Sequence, residues 1–369
     1  MSAIHNPPVD SSAGPDAGLP EQARHHAPKV APVEIAIGVI IGRVSEFFDF
    51  FVFGIASVLV FPAVFFPFAS PTVGTLYAFT VFSFAFVARP IGSLVFRVIH
   101  QRYGRGTKLT IALFLLGTST AGIAFLPSYA EMGKASIVLL ALLRIGQGLA
   151  LGGSWDGLPS LLALNAPEKQ RGWYAMIPQL GAPIGFVIAT GLYAYLVSSL
   201  GADDFNTWGW RYPFYVAFAI NVVALFARLR LVVTPEFTEL LKTRELEPSP
   251  LGELARTQGT NIVLGAFAPL ASYALFHLVT VFPLSWIALF TKQSMVNFLL
   301  VQIVGAFVAI PCMIASGVIA DRLGRRTSLA IFAVGIAVYS GWTPVLLNGT
   351  VTGGYLFIVL GFALLGFSH

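Results

Sequence analysis

The chain has 369 residues, 56% hydrophobic and only 11% charged, with a mean hydropathy of +0.79. Soluble domains carry about 25% charged residues, so a water-soluble globular fold is excluded and a lipid-embedded chain is expected. The formal charge is +5 and the pI about 9.4, but the cations lie in short loops between apolar runs, which argues against a nucleic-acid surface.

Residues 1–32 are rich in Pro, Ala and polar residues and read as a disordered cytoplasmic tail. The apolar run that follows is too long for the core of a secretory signal. A membrane-crossing helix needs about 20 apolar residues. That length predicts ten spans, near 33–61, 73–97, 108–127, 135–164, 172–198, 211–232, 261–290, 294–320, 327–347 and 351–369. Pro62, Pro67 and Pro71 interrupt the chain after the first, and Pro127 ends the third.

Between the second and third spans lies a cationic knot, with Arg97, Gln101, Arg102, Gly104, Arg105 and Lys108. Lys169 and Arg171 follow the fourth span. Arg228, Arg230, Lys242, Arg244 and Arg256 surround the sixth-to-seventh connection, and Arg322, Arg325 and Arg326 follow the eighth. The alternate loops carry little more than Lys134 and Lys292. This alternation is the positive-inside pattern, and it puts the N-terminus in the cytoplasm.

The connection 233–260 contains Thr234-Pro235-Glu236, a hydroxyl N-cap followed by Pro and an acid, which predicts a helix start. Phe237, Leu240 and Leu241 share one face of that helix, which is expected to lie on the inner membrane surface. The predicted organisation is therefore an all-α polytopic membrane protein. A six-helix bundle at 33–232 is joined by a cytoplasmic loop at 233–260 to a four-helix bundle at 261–369.

The loop after the eighth span, Ala320-Asp321-Arg322-Leu323-Gly324-Arg325-Arg326-Thr327, is a near-copy of His100-Gln101-Arg102-Tyr103-Gly104-Arg105-Gly106-Thr107. A glycine-rich stretch, Gly148 to Gly153, is echoed at Gly361 to Gly366. Repeats of membrane helices are typical of secondary transporters. If the second half copies the first, two more helices are expected beyond His369, so the second bundle reads as truncated.

Six ionisable residues fall inside predicted spans: Arg43, Glu46 and Asp49 in the first, Arg89 in the second, Arg144 and Asp156 in the fourth. Charges in lipid face a water-filled path or one another, so they predict a transport cavity, or else salt bridges that fix helix packing. The three charges of the first span climb one face, and Arg43 can pair with Glu46. Asp49 or Glu46 is the candidate proton site. Arg144 is the candidate partner of the proton site or of a substrate carboxylate, because a guanidinium binds carboxylate by two parallel bonds. Gln179 is a candidate polar cavity contact. Gly146, Gly148, Gly152 and Gly153 leave one face of the fourth span nearly bare, for close helix packing or for substrate. Gly181-Ala182-Pro183-Ile184-Gly185 predicts a kink in the fifth. His277 and Cys312 read as packing residues. The spacing offers no metal site, no cofactor motif and no nucleophile beside a base, so an enzyme is not expected.

Gly317-Val318-Ile319-Ala320-Asp321-Arg322-Leu323-Gly324-Arg325-Arg326 resembles the loop signature of the major facilitator superfamily. Glu46 to Phe51, Arg89-Pro90-Ile91-Gly92, Arg144 to Gly153, Trp208-Gly209-Trp210-Arg211-Tyr212-Pro213-Phe214 and Thr234-Pro235-Glu236-Phe237 resemble its metabolite:proton symporter branch. The resemblance implies a monomeric alternating-access symporter in a bacterial inner membrane. Its substrate would be a small organic anion or zwitterion carried with protons. It implies that Gly317, Asp321, Arg322, Gly324, Arg325 and Arg326, with Arg102, Gly104 and Arg105, form gating loops. Against the pattern, Gln101 replaces an acid, Ser154 replaces Glu, and Arg43 and Asp156 are extra charges. These departures, with the expected truncation, leave a non-transporting or sensory relative as the alternative.

Overall fold

A computed structural model describes residues 32–154, 162–163, 166–167, 170–232 and 251–369. The Thr234 helix start, Phe237, Lys169 and Asp156 lie outside them. In chain order the helices are α1 (Pro32–Leu59), α2 (Phe61–Phe65), α3 (Pro71–Ala124), α4 (Tyr129–Met132), α5 (Lys134–Gly153), α6 (Arg171–Met176), α7 (Gly181–Ser199), α8 (Ala202–Thr207), α9 (Tyr212–Val232), α10 (Leu251–Phe267), α11 (Leu270–Thr280), α12 (Phe282–Phe290), α13 (Met295–Leu323), α14 (Arg325–Leu346) and α15 (Val351–Ser368).

Eight helical stretches among the described residues are long and apolar enough to cross a membrane. Helix α1 is not one of them, because Arg43, Glu46 and Asp49 dilute its apolar run. Helix α3 supplies two of the predicted spans: it folds back at Gly104, whose φ of 83° breaks the helix. Gly324 separates α13 from α14 in the same way, with φ 87°. Only glycine takes such angles without a Cβ clash, so the near-copied loops share a positive-φ glycine as well as sequence likeness. The predicted spans flanking both glycines were too short. The helices run through the cationic residues up to the glycine itself, because Arg and Lys are good helix formers once the chain leaves lipid. Helix α5 is described to Gly153, and most of the predicted continuation to 164 lies outside the described residues.

The kink predicted over Gly181–Gly185 lies one turn earlier. A 3-10 turn at Ile177–Leu180 joins α6 to α7, and the helix is regular through Pro183. Pro183 has no N–H for the carbonyl four residues back, so the irregularity falls on the preceding turn. A second break separates α11 from α12 at Val281, ahead of Pro283. There the Gln302 amide donates to the carbonyls of Val279 (3.1 Å) and Thr280 (2.8 Å). It supplies the Val279 carbonyl with the donor that Pro283 lacks.

At the ends of the first bundle, local capping fixes the chain. Ser128 donates its backbone N–H and its hydroxyl to the Glu131 carboxylate. These bonds hold that carboxyl below the usual carboxylate range. Trp210 is fully buried against Phe61, Phe65 and Phe214. Beside it Arg211 donates to the carbonyl of Ala124 (3.0 Å) at the end of α3.

Six spans from α1 to α9 form one bundle and four spans from α10 to α15 the second. The core crosses between them: Phe51 meets Phe276, Gly54 meets Val281 and Phe186 meets Phe362. Helices α6 and α7 pack along α13. Asp321, at the end of α13, accepts the backbone N–H groups of Gly172 (2.7 Å) and Trp173 (3.0 Å), at the start of α6. These charge-assisted bonds at a helix N-terminus tie the two bundles together where the sequence reading expects a latch. Such bonds contribute about 1.5–3 kcal/mol each. A cysteine placed at Met176, buried behind the latch, is therefore expected to be alkylated at least ~10-fold faster when Asp321→Ala is added. Equal rates would rule out a latch at Asp321.

Candidate functional site

The site is assembled on α1, whose polar residues face three other spans. Asp49 is 2% exposed in a setting of phenylalanines. One carboxylate oxygen, Oδ1, accepts the Thr120 hydroxyl (2.6 Å) and the Asn221 amide (3.4 Å). The other, Oδ2, accepts the Gln147 amide (3.1 Å). Thr120 lies on the second arm of α3, Gln147 on α5 and Asn221 on α9. Ser45 adds a bond to Asn221 (2.6 Å). One carboxylate is thus held by side chains from three helices, which meets the demand that a buried charge be fully hydrogen-bonded.

Arg144 is 1% exposed and does not touch Asp49 directly. Its Nη1 donates to Gln147 Oε1 (2.9 Å) and its Nε to the Phe82 carbonyl (3.3 Å). The guanidinium lies 4.0 Å from the Phe53 ring centroid and 4.8 Å from that of Phe82, two cation–π contacts that are strong where water is excluded. Among the described residues its remaining nitrogen has no hydrogen-bond acceptor. The side chain borders a cavity of about 110 Å³.

Arg43, Glu46, Arg89, Gln179 and His277 line the same cavity, with Phe47, Phe50, Phe86 and Phe276. Five of the seven residues predicted from sequence for a cavity, Arg43, Glu46, Arg89, Arg144 and Gln179, therefore border one space. Asp49 stands behind it, joined through Gln147. Asp156 lies outside the described residues. Arg43 pairs with Glu46 (2.8 Å) and lies over the Phe47 ring. Ser154 donates to the other Glu46 oxygen (3.1 Å). Two of the sequence departures, Arg43 and Ser154, thus meet at one carboxylate. A glutamate at 154 would bring a second negative charge there, whereas serine brings a donor.

His277 is ringed by Phe50, Phe82, Phe86 and Phe276, with centroids 5.4–6.3 Å away, so it both packs and borders the cavity. The bare face of α5 is a packing face. A Cβ on Gly148 would lie 2.5 Å from the Ala85 carbonyl oxygen, and Cβ atoms on Gly152 and Gly92 would overlap the backbone at Arg89 and Leu149. Of the residues expected in gating loops, Asp321 bonds to α6, Gly317 packs against Gly172 and Trp173, and Gly104 and Gly324 turn the chain. Gln101, Arg102, Arg322, Arg325 and Arg326 are exposed and Arg105 is half-buried.

The sequence reading missed Ser45, Thr120, Gln147 and Asn221. The amides carried a usable signal, since an Asn or Gln inside an apolar run must find a partner. Thr120 carried none, because a helical Thr can bond its own backbone.

Residues 35–253 match the family model described as sugar (and other) transporter. The inner membrane metabolite transport protein YhjE of Escherichia coli K12 is 37% identical over 342 residues, covering 90% of this chain and 77% of that protein. A putative metabolite transport protein of Haemophilus influenzae is 32% identical over 91% of the chain and 78% of its own length. The Escherichia coli shikimate transporter is 32% identical over 79% of the chain and 67% of its own length. Among solved structures, the partially occluded inward-open xylose transporter XylE from E. coli superposes with a TM-score of 0.66 at 18% identity. That match covers 91% of this chain and 84% of that one, and it shows the fold. A doubled helical bundle, matching loops, a charged cavity between bundles and these relatives agree, and the chain belongs to the major facilitator superfamily, in its sugar and metabolite transporter family, as a multi-pass membrane transporter and not an enzyme.

Proposed function

We propose that this transporter is a proton-coupled symporter of a small organic anion. The observation that carries the reading is the Asp49–Gln147–Arg144 chain: a buried carboxylate linked to a buried guanidinium whose free edge borders a cavity between the bundles. A carboxylate in a dry site is the group whose proton affinity changes most with the opening of that site. A guanidinium held against aromatic rings is suited to a substrate carboxylate. Electroneutral movement follows when each anion charge travels with a proton. The Escherichia coli shikimate transporter among the relatives supports an acid, and the proline/betaine transporters keep a zwitterion as the nearest alternative.

In this reading the protein works as a monomer in a bacterial inner membrane, N-terminus in the cytoplasm, as the cation-rich loops demand. Residues 33–232 and 261–369 rock as two bodies about the cavity, joined by 233–260. Glu46, Arg43, Arg89 and Gln179 shape the substrate end of the site. The Asp321 latch closes the cytoplasmic side.

The test is a screen of mono-, di- and tricarboxylates, betaines and sugars on the full-length protein in liposomes holding a pH-sensitive dye. The expected result is that a carboxylic acid enters and acidifies the lumen. Sugar uptake with no acid uptake, or acid entry with no proton movement, would overturn it.

A further inference from the structure

The amide of Gln147 stands between two groups that it must serve in opposite senses. An ionised carboxylate only accepts hydrogen bonds, and a guanidinium only donates them. With Asp49 charged, the amide must therefore turn Nε2 to Asp49 and Oε1 to Arg144, which is the arrangement found at 3.1 Å and 2.9 Å. Nε2 also donates to the Thr120 hydroxyl (2.9 Å), and Gln147 is 0% exposed.

Protonation reverses one side of this arrangement. Asp49 Oδ1 already accepts from Thr120 and Asn221, so Oδ2 is the oxygen with room for a proton. A hydrogen on the side of Oδ2 that meets Gln147 would face the hydrogens of Nε2. Turning the amide relieves that clash: Oε1 then accepts the Asp49 O–H, and Thr120 can donate to it as well. The turn brings Nε2 against Arg144 Nη1, donor against donor, and Arg144 loses its side-chain acceptor. Among the described residues its one remaining acceptor is the Phe82 carbonyl. The guanidinium must then find a new acceptor on its cavity side.

We infer that Gln147 is the positioning residue that couples the two ends of the site, by inverting its amide when Asp49 takes a proton and so releasing Arg144 to bind a substrate carboxylate. The inference rests on the reading of Asp49 as the proton site and adds how that proton is felt at the substrate. It gives an order of events: the proton binds first, and the anion follows. The other charged or titratable groups facing this region are Arg43 and Glu46, which pair with each other on α1, Arg89 of α3, Tyr273 and His277 of α11 and His369 after α15, all on the cavity wall. None of them touches Gln147.

Infrared difference spectra of the full chain in lipid, taken on stepping the pH without substrate, test this directly. Arginine labelled with carbon-13 in the guanidino group marks Arg144, identified by the band lost in Arg144→Lys. In the wild type, an acid carbonyl band assigned by its loss in Asp49→Asn is expected to appear together with a shift of the Arg144 band, at one common pH midpoint. In Gln147→Met the Asp49 band is expected to remain while the Arg144 shift is lost. Gln147→Asn, whose amide is too short to reach both partners, serves as the second variant with the same expected loss. An Arg144 shift that persists in both variants, or an Asp49 band with no Arg144 shift in the wild type, overturns the relay and leaves Asp49 as the proton site. No Asp49 band at any pH overturns both.

Discussion

Asp49→Asn is expected to abolish accumulation of substrate while leaving exchange of substrate across the membrane in place. Asparagine fills the same space and still accepts from Thr120, but it has no proton to bind and no charge. For one proton per anion charge, a pH gradient of one unit sustains about tenfold accumulation, and the variant should reach a ratio near one. Uptake of the transported acid into liposomes, with and without an imposed gradient, measures the ratio. Counterflow of labelled against unlabelled acid checks that the variant still moves. Glu46→Gln is the control, because Glu46 is already paired with Arg43 and Ser154 and its loss should weaken binding more than coupling. Gradient-driven uptake left intact in both variants would end the proton-site reading for this carboxylate pair. Stability should also fall. A buried charge stripped of its partner costs about 3–5 kcal/mol, so Asp49→Asn leaves Arg144 short of compensation. The double variant Asp49→Asn with Arg144→Gln is expected to recover folded yield without recovering accumulation, a non-additivity that only interacting residues show.

Gly152→Leu is the second change with a large expected effect, on folding rather than coupling. Helices α3 and α5 cross with their backbones in contact at Gly92, Gly148 and Gly152. A Cβ at 152 would overlap the Arg89 carbonyl oxygen and approach Ser93 N at 2.6 Å. No side chain stands there to turn aside, so the helices themselves must separate. Overpacking ordinarily costs about 1–3 kcal/mol, and a backbone-to-backbone clash belongs at the upper end or beyond. The separation also moves Arg144 and Gln147, which ride on α5. The expected result is loss of the monodisperse peak in detergent and a lower unfolding temperature, with Gly152→Ala intermediate. By contrast Gly259→Leu, with open space around its Cβ, should be silent. A Gly152→Leu protein as stable as the wild type would mean the glycine face leaves room rather than contact.

Much of this was legible in the chain because membrane folding is dominated by one-dimensional rules. Apolar run length located the spans, the cation-bearing loops set their alternation, and Gly104 and Gly324 marked the turns that only glycine makes. The charges of α1 announced a polar site because their cost in lipid is too high for them to be idle. Helix ends at Gly153 and Leu323, and the shift of the α7 irregularity to Ile177–Leu180, were not legible. They depend on hydrogen-bond geometry within one turn rather than on hydropathy.

The sequence by itself determined that the protein lies in the membrane, that it is built from a repeated unit, and that Arg43, Glu46, Asp49, Arg89 and Arg144 must answer to something in the interior. Which of these meet was decided by the tertiary structure alone. Thr120, Gln147 and Asn221 reach Asp49 from three helices far apart in the chain. No local pattern encodes that meeting, because a helix fixes only which of its own residues share a face. The angle and depth at which helices cross, set here by the glycines of α3 and α5, choose the partner. The same crossing turned the apparent ion pair of Asp49 and Arg144 into three groups with an amide between two charges.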